Sequence, residues 1–415
     1  MSSFMQFPLN IKFRILSSFF SKTIGTATSP FLILYLTNYL NDVFLGLLLI
    51  LSISLNFISS IIGGYLSDIF NRKRFITTFQ TVQIALLSIL TIELYFLEKN
   101  PQEGVLIYCI VISYVVQGMI GGTYKPAYNA LIMDSTNKDN RRDIYRFNYW
   151  TTNLSLAVGT SIGGWFSSNH LIFLYLTSIF ILILVTIGFF IIIENDNQIF
   201  RKEVKQKKIF FNLFNNYKEA LKNKNWIIFL LGSAFIFSVE FSLIYYSNIR
   251  LARDFSQFSI LGIDISGIRM FSVLQLINTI LVVFCTFQIG RVVEKWSTKN
   301  ALLIGVFLYI CGYSLISYNL NFYILILCVV IATIGELIFS PNWQAAQIEF
   351  IPKDKRGSFS ALSALSNVLA LLMASGYLLL SGHLTISIIS ILIFIIGVVG
   401  LILVSLTLVL KNRLD

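Results

Sequence analysis

Polar positions are so sparse along this chain that its apolar residues form continuous runs rather than stripes. Residues 171–193 and 385–410 contain no charged side chain. About 18 such residues already suffice for a helix to cross a bilayer. A helix packed on a soluble core would keep a polar face opposite its apolar one, and these runs have none. Taken at roughly 20 residues each, the runs predict twelve spans. Six lie near 13–36, 44–67, 75–97, 105–124 (continuing to about 133), 148–167 and 171–193. The other six lie near 226–249, 269–290, 300–318, 321–340, 358–381 and 384–410. The first apolar segment is too long for a signal peptide and lacks a small-residue cleavage site, so it is expected to stay as span one.

Composition agrees. Of 415 residues, 56% are hydrophobic and 12% charged, with a mean hydropathy of +0.77; soluble domains carry about 25% charged residues. The net charge of +11 is a topology signal. Lys99, Arg250, Arg253 and Arg269 fall in outer loops, and Lys22 and Lys125 fall within spans. Every other lysine and arginine lies in segments on one side, which puts both termini in the cytoplasm of a multi-pass plasma-membrane protein. No basic soluble domain is left for a nucleic-acid partner. The partners expected are membrane lipids, protons and a small amphipathic or cationic solute, handled by a monomer.

Cys109, Cys285, Cys311 and Cys328 all fall in spans without metal-ligand spacing and read as small apolar packing residues. His170 and His383 fall in short outer loops. No phosphate-binding glycine loop and no nucleophile–base pair is visible, so an enzyme is not expected.

The chain repeats itself. Pro126, Asn129-Ala130 and Asp134, with KDNR at 138–141, recur at a constant offset as Pro341, Gln344-Ala345 and Glu349, with KDKR at 353–356. Gly64, Asp68 and the cations at 72–74 find an echo in Gly290, Glu294, Lys295 and Lys299. The organisation predicted is a six-span bundle over 1–193, a charged linker over 194–225 and a second bundle over 226–415. Internal repeats of this kind are typical of transporters whose halves rock about a central site. The linker stretch 207–226 mixes apolar and basic residues at helical spacing and predicts an amphipathic helix lying on the membrane surface.

The turn between spans two and three carries the strongest motif. Gly64, Asp68, Asn71, Arg72 and Lys73 resemble the loop signature of the major facilitator superfamily, with Asn71 in place of the usual glycine. Asparagine also tolerates a left-handed turn. Gly64 is expected to let neighbouring helices approach. Asp68 is expected to receive cations or to face a helix N-terminus, where aligned peptide dipoles favour negative charge. The resemblance implies an all-α membrane protein with twelve transmembrane helices in two pseudo-symmetric six-helix bundles. It also implies a cytoplasmic conformational latch built from Gly64, Asp68, Arg72, Lys73 and Arg142.

Residues 131–165, ISGIRM at 265–270 and IGELIFSP at 334–341 look like the LmrP-type multidrug/proton antiporters of bacteria. Two departures stand out. Tyr114 replaces the span-four arginine, with Gln117-Gly118 retained, and the span-five motif reads Gly159-Thr160-x-x-Gly163-Gly164 without its proline. The resemblance implies proton coupling through Glu336, Asp68 and Asp134, with Arg72, Arg141 and Arg142 as partners. An intramembrane carboxylate is costly and is usually protonated, paired or hydrated. Where acids are expected in spans five and seven the chain has Asn148 and Ser242; Glu240 is a possible substitute, although two positions turn a helix by about 200°. Tyr35, Tyr114, Trp150, Tyr245 and Tyr246 are candidate cavity aromatics. Lys22, deep in span one, would neutralise an acid or attract an anionic substrate. The activity implied is export of lipophilic or cationic drugs, driven by the proton-motive force with no bound cofactor. A lipid or glycolipid flippase on the same fold and a non-transporting sensor are the alternatives.

Overall fold

A computed structural model describes residues 7–102, 104–134, 141–193, 223–260, 262–349 and 356–411. In the first half, span one is Leu9–Leu36, span two Asp42–Ile69, span three Arg72–Lys99 and span four Gly104–Asp134. Spans five and six form one continuous run, Arg141–Ile192, that bends at His170. The short loop expected there is thus a kink, with His170 at φ −138° and ψ 34°. In the second half, span seven covers Lys224–Asp254, followed by Gly267–Val293, Thr298–Tyr318, Phe322–Glu349, Arg356–Ser381 and Ile386–Lys411 as spans eight to twelve. Among the described residues, nine helices are long and apolar enough to cross a membrane. A lipid-embedded backbone must satisfy its own N–H and C=O groups, which helices do internally.

Helix starts follow the sequence. Asn71, Asn223, Ser266 and Ser297 precede spans three, seven, eight and nine, and each accepts a hydrogen bond from the backbone N–H three residues on. Such caps satisfy donors that the first turn leaves free. Asn71 has φ −59°, so the left-handed turn anticipated for it is not formed; it serves as a cap instead.

Two features depart from plain α-helix. Span seven contains a π-helical turn, Leu243–Ser247, directly after Ser242. Between spans seven and eight, Phe258–Ile260 and Ile263–Ile265 pair as an antiparallel hairpin. Gly262 in its turn has φ 77°, a conformation open to glycine at little cost.

The chain divides into two compact units, one of Met1–Leu40 and Leu48–Arg201, the other of Asn41–Leu47 and Lys202–Asp415. In the first, span one runs along span five. A Cβ at Gly159 would lie 2.0 Å from Thr26 Oγ1, and one at Gly163 would lie 2.0 Å from Phe31 Cε2. The proline-free span-five motif is therefore a seam of close helix contact, as small residues provide elsewhere in membranes. Gly63 is pinched in the same way, 1.8 Å from the Thr123 carbonyl oxygen if given a Cβ. Gly64 meets only Pro126, at 3.8 Å. The close approach expected at Gly64 thus belongs to its neighbour.

In the second unit, spans nine and ten meet across Gly305, Gly312 and Gly335. Arg250 caps the end of span nine by donating to the Ser317 and Tyr318 carbonyls at 2.5 and 2.7 Å. Asp42, at the start of span two, pairs with Arg253 at 2.5 Å within this unit. These two arginines, expected only as outer-loop charges, thus have defined structural partners.

Candidate functional site: a buried carboxylate cluster

Span ten carries Gly335 and Glu336 side by side, and the two do different work. A Cβ at Gly335 would sit 2.5 Å from the Tyr309 backbone nitrogen, so glycine there lets the backbones of spans nine and ten touch. Glu336 Oε2 accepts from Asn278 Nδ2 of span eight at 3.1 Å. The same amide donates to Thr333 Oγ1, one turn before Glu336, also at 3.1 Å.

Glu240 of span seven accepts from the Tyr309 hydroxyl at 2.5 Å. The Glu240 charge acts on Glu336, and both charges act on Tyr309 and Tyr313. Four helices thus bring two carboxylates, two phenols and an amide into one interior cluster. Around it stand aromatic rings: Tyr309 packs edge-on against Tyr313 and Phe339, with centroids 5.0 and 5.1 Å apart. Two half-buried carboxylates in largely apolar surroundings repel each other when both are charged, so such a pair is suited to taking up a proton.

Ser242 does not join the cluster. It is wholly buried, and its hydroxyl donates to the Val239 carbonyl of its own helix at 2.7 Å. The cavity position expected for it is therefore not formed; Glu240 faces the cluster instead. Tyr245 and Tyr246 lie in the π turn, with Tyr246 buried.

The candidates of the first unit are dispersed. Lys22 Nζ donates to Thr152 Oγ1 of span five at 2.6 Å. Asn148 lies one turn from Thr152 and carries a buried Oδ1 without a hydrogen-bond partner. Trp150 is 47% exposed. Tyr114 hydrogen-bonds Ser29 of span one. Tyr35 lines a separate cavity of about 360 Å³ with Glu98, Ser167 and His170. The ammonium of Lys73 lies 5.1 Å from the centre of the Phe190 ring. The side chains of Asp68, Asp134, Arg141 and Arg142 lie outside the described residues, as do the KDNR and KDKR segments up to their final arginines and most of the linker stretch. The four cysteines are free, and among the described residues no three His, Cys, Asp or Glu side chains gather as a metal site would require.

Asn278 and Tyr309 were not among the residues singled out from the sequence. Asn278 had a weak signal, being with Gln275 one of few amides in the apolar stretch of span eight. Tyr309 had none, being one of 19 tyrosines.

Long helices in two units, nine of them among the described residues long and apolar enough to cross a membrane, are the build of a multi-pass membrane protein. The Major Facilitator Superfamily profile matches residues 15–375, and the chain belongs to that superfamily. It is 22% identical over 379 residues to a Na(+), Li(+), K(+)/H(+) antiporter of Planococcus maritimus, with 88% of each chain covered. It is 24% identical over 357 residues to the uncharacterized MFS-type transporter YttB of Bacillus subtilis, covering 85% of this chain and 83% of that one. Among solved structures, a peptide transporter POT superposes with a TM-score of 0.74 at 16% identity, over 99% of this chain and 96% of the other. A POT family transporter superposes with a TM-score of 0.72 at 14% identity, over 99% and 98%.

Proposed function

We propose that this chain is a proton-coupled exporter of lipophilic or cationic organic compounds, working by alternating access in a bacterial plasma membrane with both termini in the cytoplasm. The observation that carries the reading is the interior pair Glu240 and Glu336, held by Tyr309 and Asn278. Protonation of either carboxylate removes a negative charge that would hold a cation. Proton binding and cargo binding thereby exclude each other at one cluster. Asp68 and Asp134, with Gly64, Arg72, Lys73 and Arg142, are assigned to the cytoplasmic latch that the change of state must open. The machine needs no cofactor beyond the proton-motive force and acts as a monomer among membrane lipids.

The driving force suffices. A proton gains about 1.4 kcal/mol per pH unit and about 2.3 kcal/mol per 100 mV. One entering proton therefore sustains a gradient of neutral cargo on the order of a hundredfold; for a monovalent cation the exchanged charges cancel, and the pH difference alone sustains about tenfold per unit.

A second reading draws support from the relative named for sodium, lithium and potassium exchange. The oxygen-rich cluster of Glu240, Glu336, Thr333 and Asn278 suits a small hard cation as well as an organic one. Everted vesicles separate the two. Under the organic-cation reading, energised vesicles move ethidium, sodium does not compete, and Glu336→Gln stops the movement. Sodium-driven pH change without ethidium movement would select the alkali-cation reading. Unaltered ethidium transport in Glu336→Gln would remove Glu336 from the mechanism.

A further inference from the structure

Lys22 is not used by the carboxylate cluster, and its surroundings are unusual for a cation. It sits about 20 Å along span one from Leu9 by helical rise, well within the apolar run and too deep to reach the surface easily. Among the described residues its partner is the hydroxyl of Thr152, at 2.6 Å. That hydroxyl gives its own proton to the Asn148 carbonyl at 2.7 Å, so it can only accept from the lysine. An ammonium has three N–H donors, and the described residues engage one of them. The described charge that acts on Lys22 is another cation, Lys125 of span four. A half-buried cation whose described neighbours are one hydroxyl and a like charge is suited to an anion.

The immediate frame is rigid. The carbonyl of Lys22 accepts from Thr26 at 3.0 Å, and Thr26 also reaches the Ser155 carbonyl at 3.2 Å. Gly159 lets spans one and five close on each other at this level, since a Cβ there would meet the Thr23 carbonyl oxygen at 2.4 Å. Asn148, one helical turn before Thr152 and so on the same face, adds a side-chain amide.

We propose that Lys22, backed by Thr152 and Asn148, is an oxyanion-binding point of the first unit, and that among compounds carried by the protein those bearing a carboxylate or a phosphate-like group are held more tightly. The proposal rests on the transporter reading and extends its cargo from simple cations to zwitterionic amphiphiles. Lysine serves such a point as a compact charge with rotatable donors.

The test uses a matched pair of dyes, rhodamine 110 with its free carboxylate and rhodamine 123, the methyl ester of the same dye. Binding of each to the full chain in phosphatidylcholine nanodiscs is followed by fluorescence anisotropy, with no gradient applied. The wild type is expected to hold rhodamine 110 about tenfold or more tighter than the ester, as a charge-assisted hydrogen bond would give. Lys22→Gln removes that preference while ester binding persists, and Lys22→Arg retains it. Equal affinity for the two dyes in the wild type overturns the proposal without reference to any variant. Absent binding of rhodamine 110, or a preference that survives in Lys22→Gln, does so as well. Phosphatidylglycerol that competes in the wild type but not in Lys22→Gln supports the point and identifies a lipid headgroup as its oxyanion; indifference to it, with the dye preference intact, supports a soluble cargo. Because binding is read without a proton gradient, a carboxylate preference that stands while proton-driven transport fails removes only the coupling reading. Transport that stands without the preference removes only the oxyanion point.

Discussion

Glu240 and Ser242 lie two positions apart on span seven, and their fates show how little separates an acid of the interior cluster from a packing residue. The hydroxyl is absorbed by its own helix, whereas the carboxylate meets Tyr309 from span nine. Because the charge of Glu240 acts on Glu336, the two acids should behave as one unit. Glu240→Gln and Glu336→Gln are each expected to lower initial rates of proton-driven transport at least about tenfold, and the double variant to fall little further than the worse single one, since residues in one network are not additive. Rates in energised vesicles that fall multiplicatively would separate the two acids into independent steps. From the sequence alone Glu240 and Ser242 could not be ranked. Helical periodicity says which residues share a face, but not which face meets a partner helix.

At the scale of elements, the glycines adjoining the Asp68 loop give the sharpest contrast. Gly63→Ala would press a methyl group against the Thr123 carbonyl, whereas Gly64→Ala meets nothing closer than 3.8 Å. Overpacking costs about 1–3 kcal/mol, so thermal unfolding of purified protein should shift downward for Gly63→Ala and stay near wild type for Gly64→Ala. Any transport defect in Gly64→Ala then reports on the latch rather than on packing. The ISGIRM block illustrates the same point from another side. Ser266 caps span eight, Gly267 fits against Leu251, and Arg269 donates to the Asp264 carbonyl at 2.6 Å. The block thus has a role in building the hairpin corner.

Asp264 gives that corner a pH dependence. Its carboxyl is held below the ordinary carboxylate range by hydrogen bonds from Ser259 and Gln257, with the charge of Arg269 adding to them. A depressed group contributes stability above its unfolded value, near 3.9, and loses it as pH falls through the folded one. Protection of the hairpin amides, corrected for the intrinsic pH dependence of exchange, should therefore fall below about pH 4 in the wild type. In Asp264→Asn it should show no such acid-dependent step; a step of the same size in that variant would assign it to another group.

For the molecule as a whole, apolar run length and cation placement were enough to read twelve helices and a membrane, because the bilayer imposes both on sequence. The caps at Asn71, Asn223, Ser266 and Ser297 were not read from the sequence, where Asn71 reads as a turn residue, although asparagine and serine are the residue types that cap helices. The kink at His170, the π turn and the hairpin were not legible, since each arises from how helices are joined rather than from how apolar they are. Glu336 was legible because a lone acid in an apolar run is expensive; Tyr309 was not, because a phenol there costs little and resembles many others.

The central claim is that proton entry through Glu336 and Glu240 powers expulsion of cargo. It is tested most directly with purified protein in liposomes, by following ethidium and internal pH together when a proton gradient is imposed. The account predicts that the wild type moves ethidium against its own gradient while protons flow inward, and that Glu336→Gln does neither. Equal transport by wild type and Glu336→Gln, or a wild type that moves no compound from a broad panel under that gradient, would contradict it.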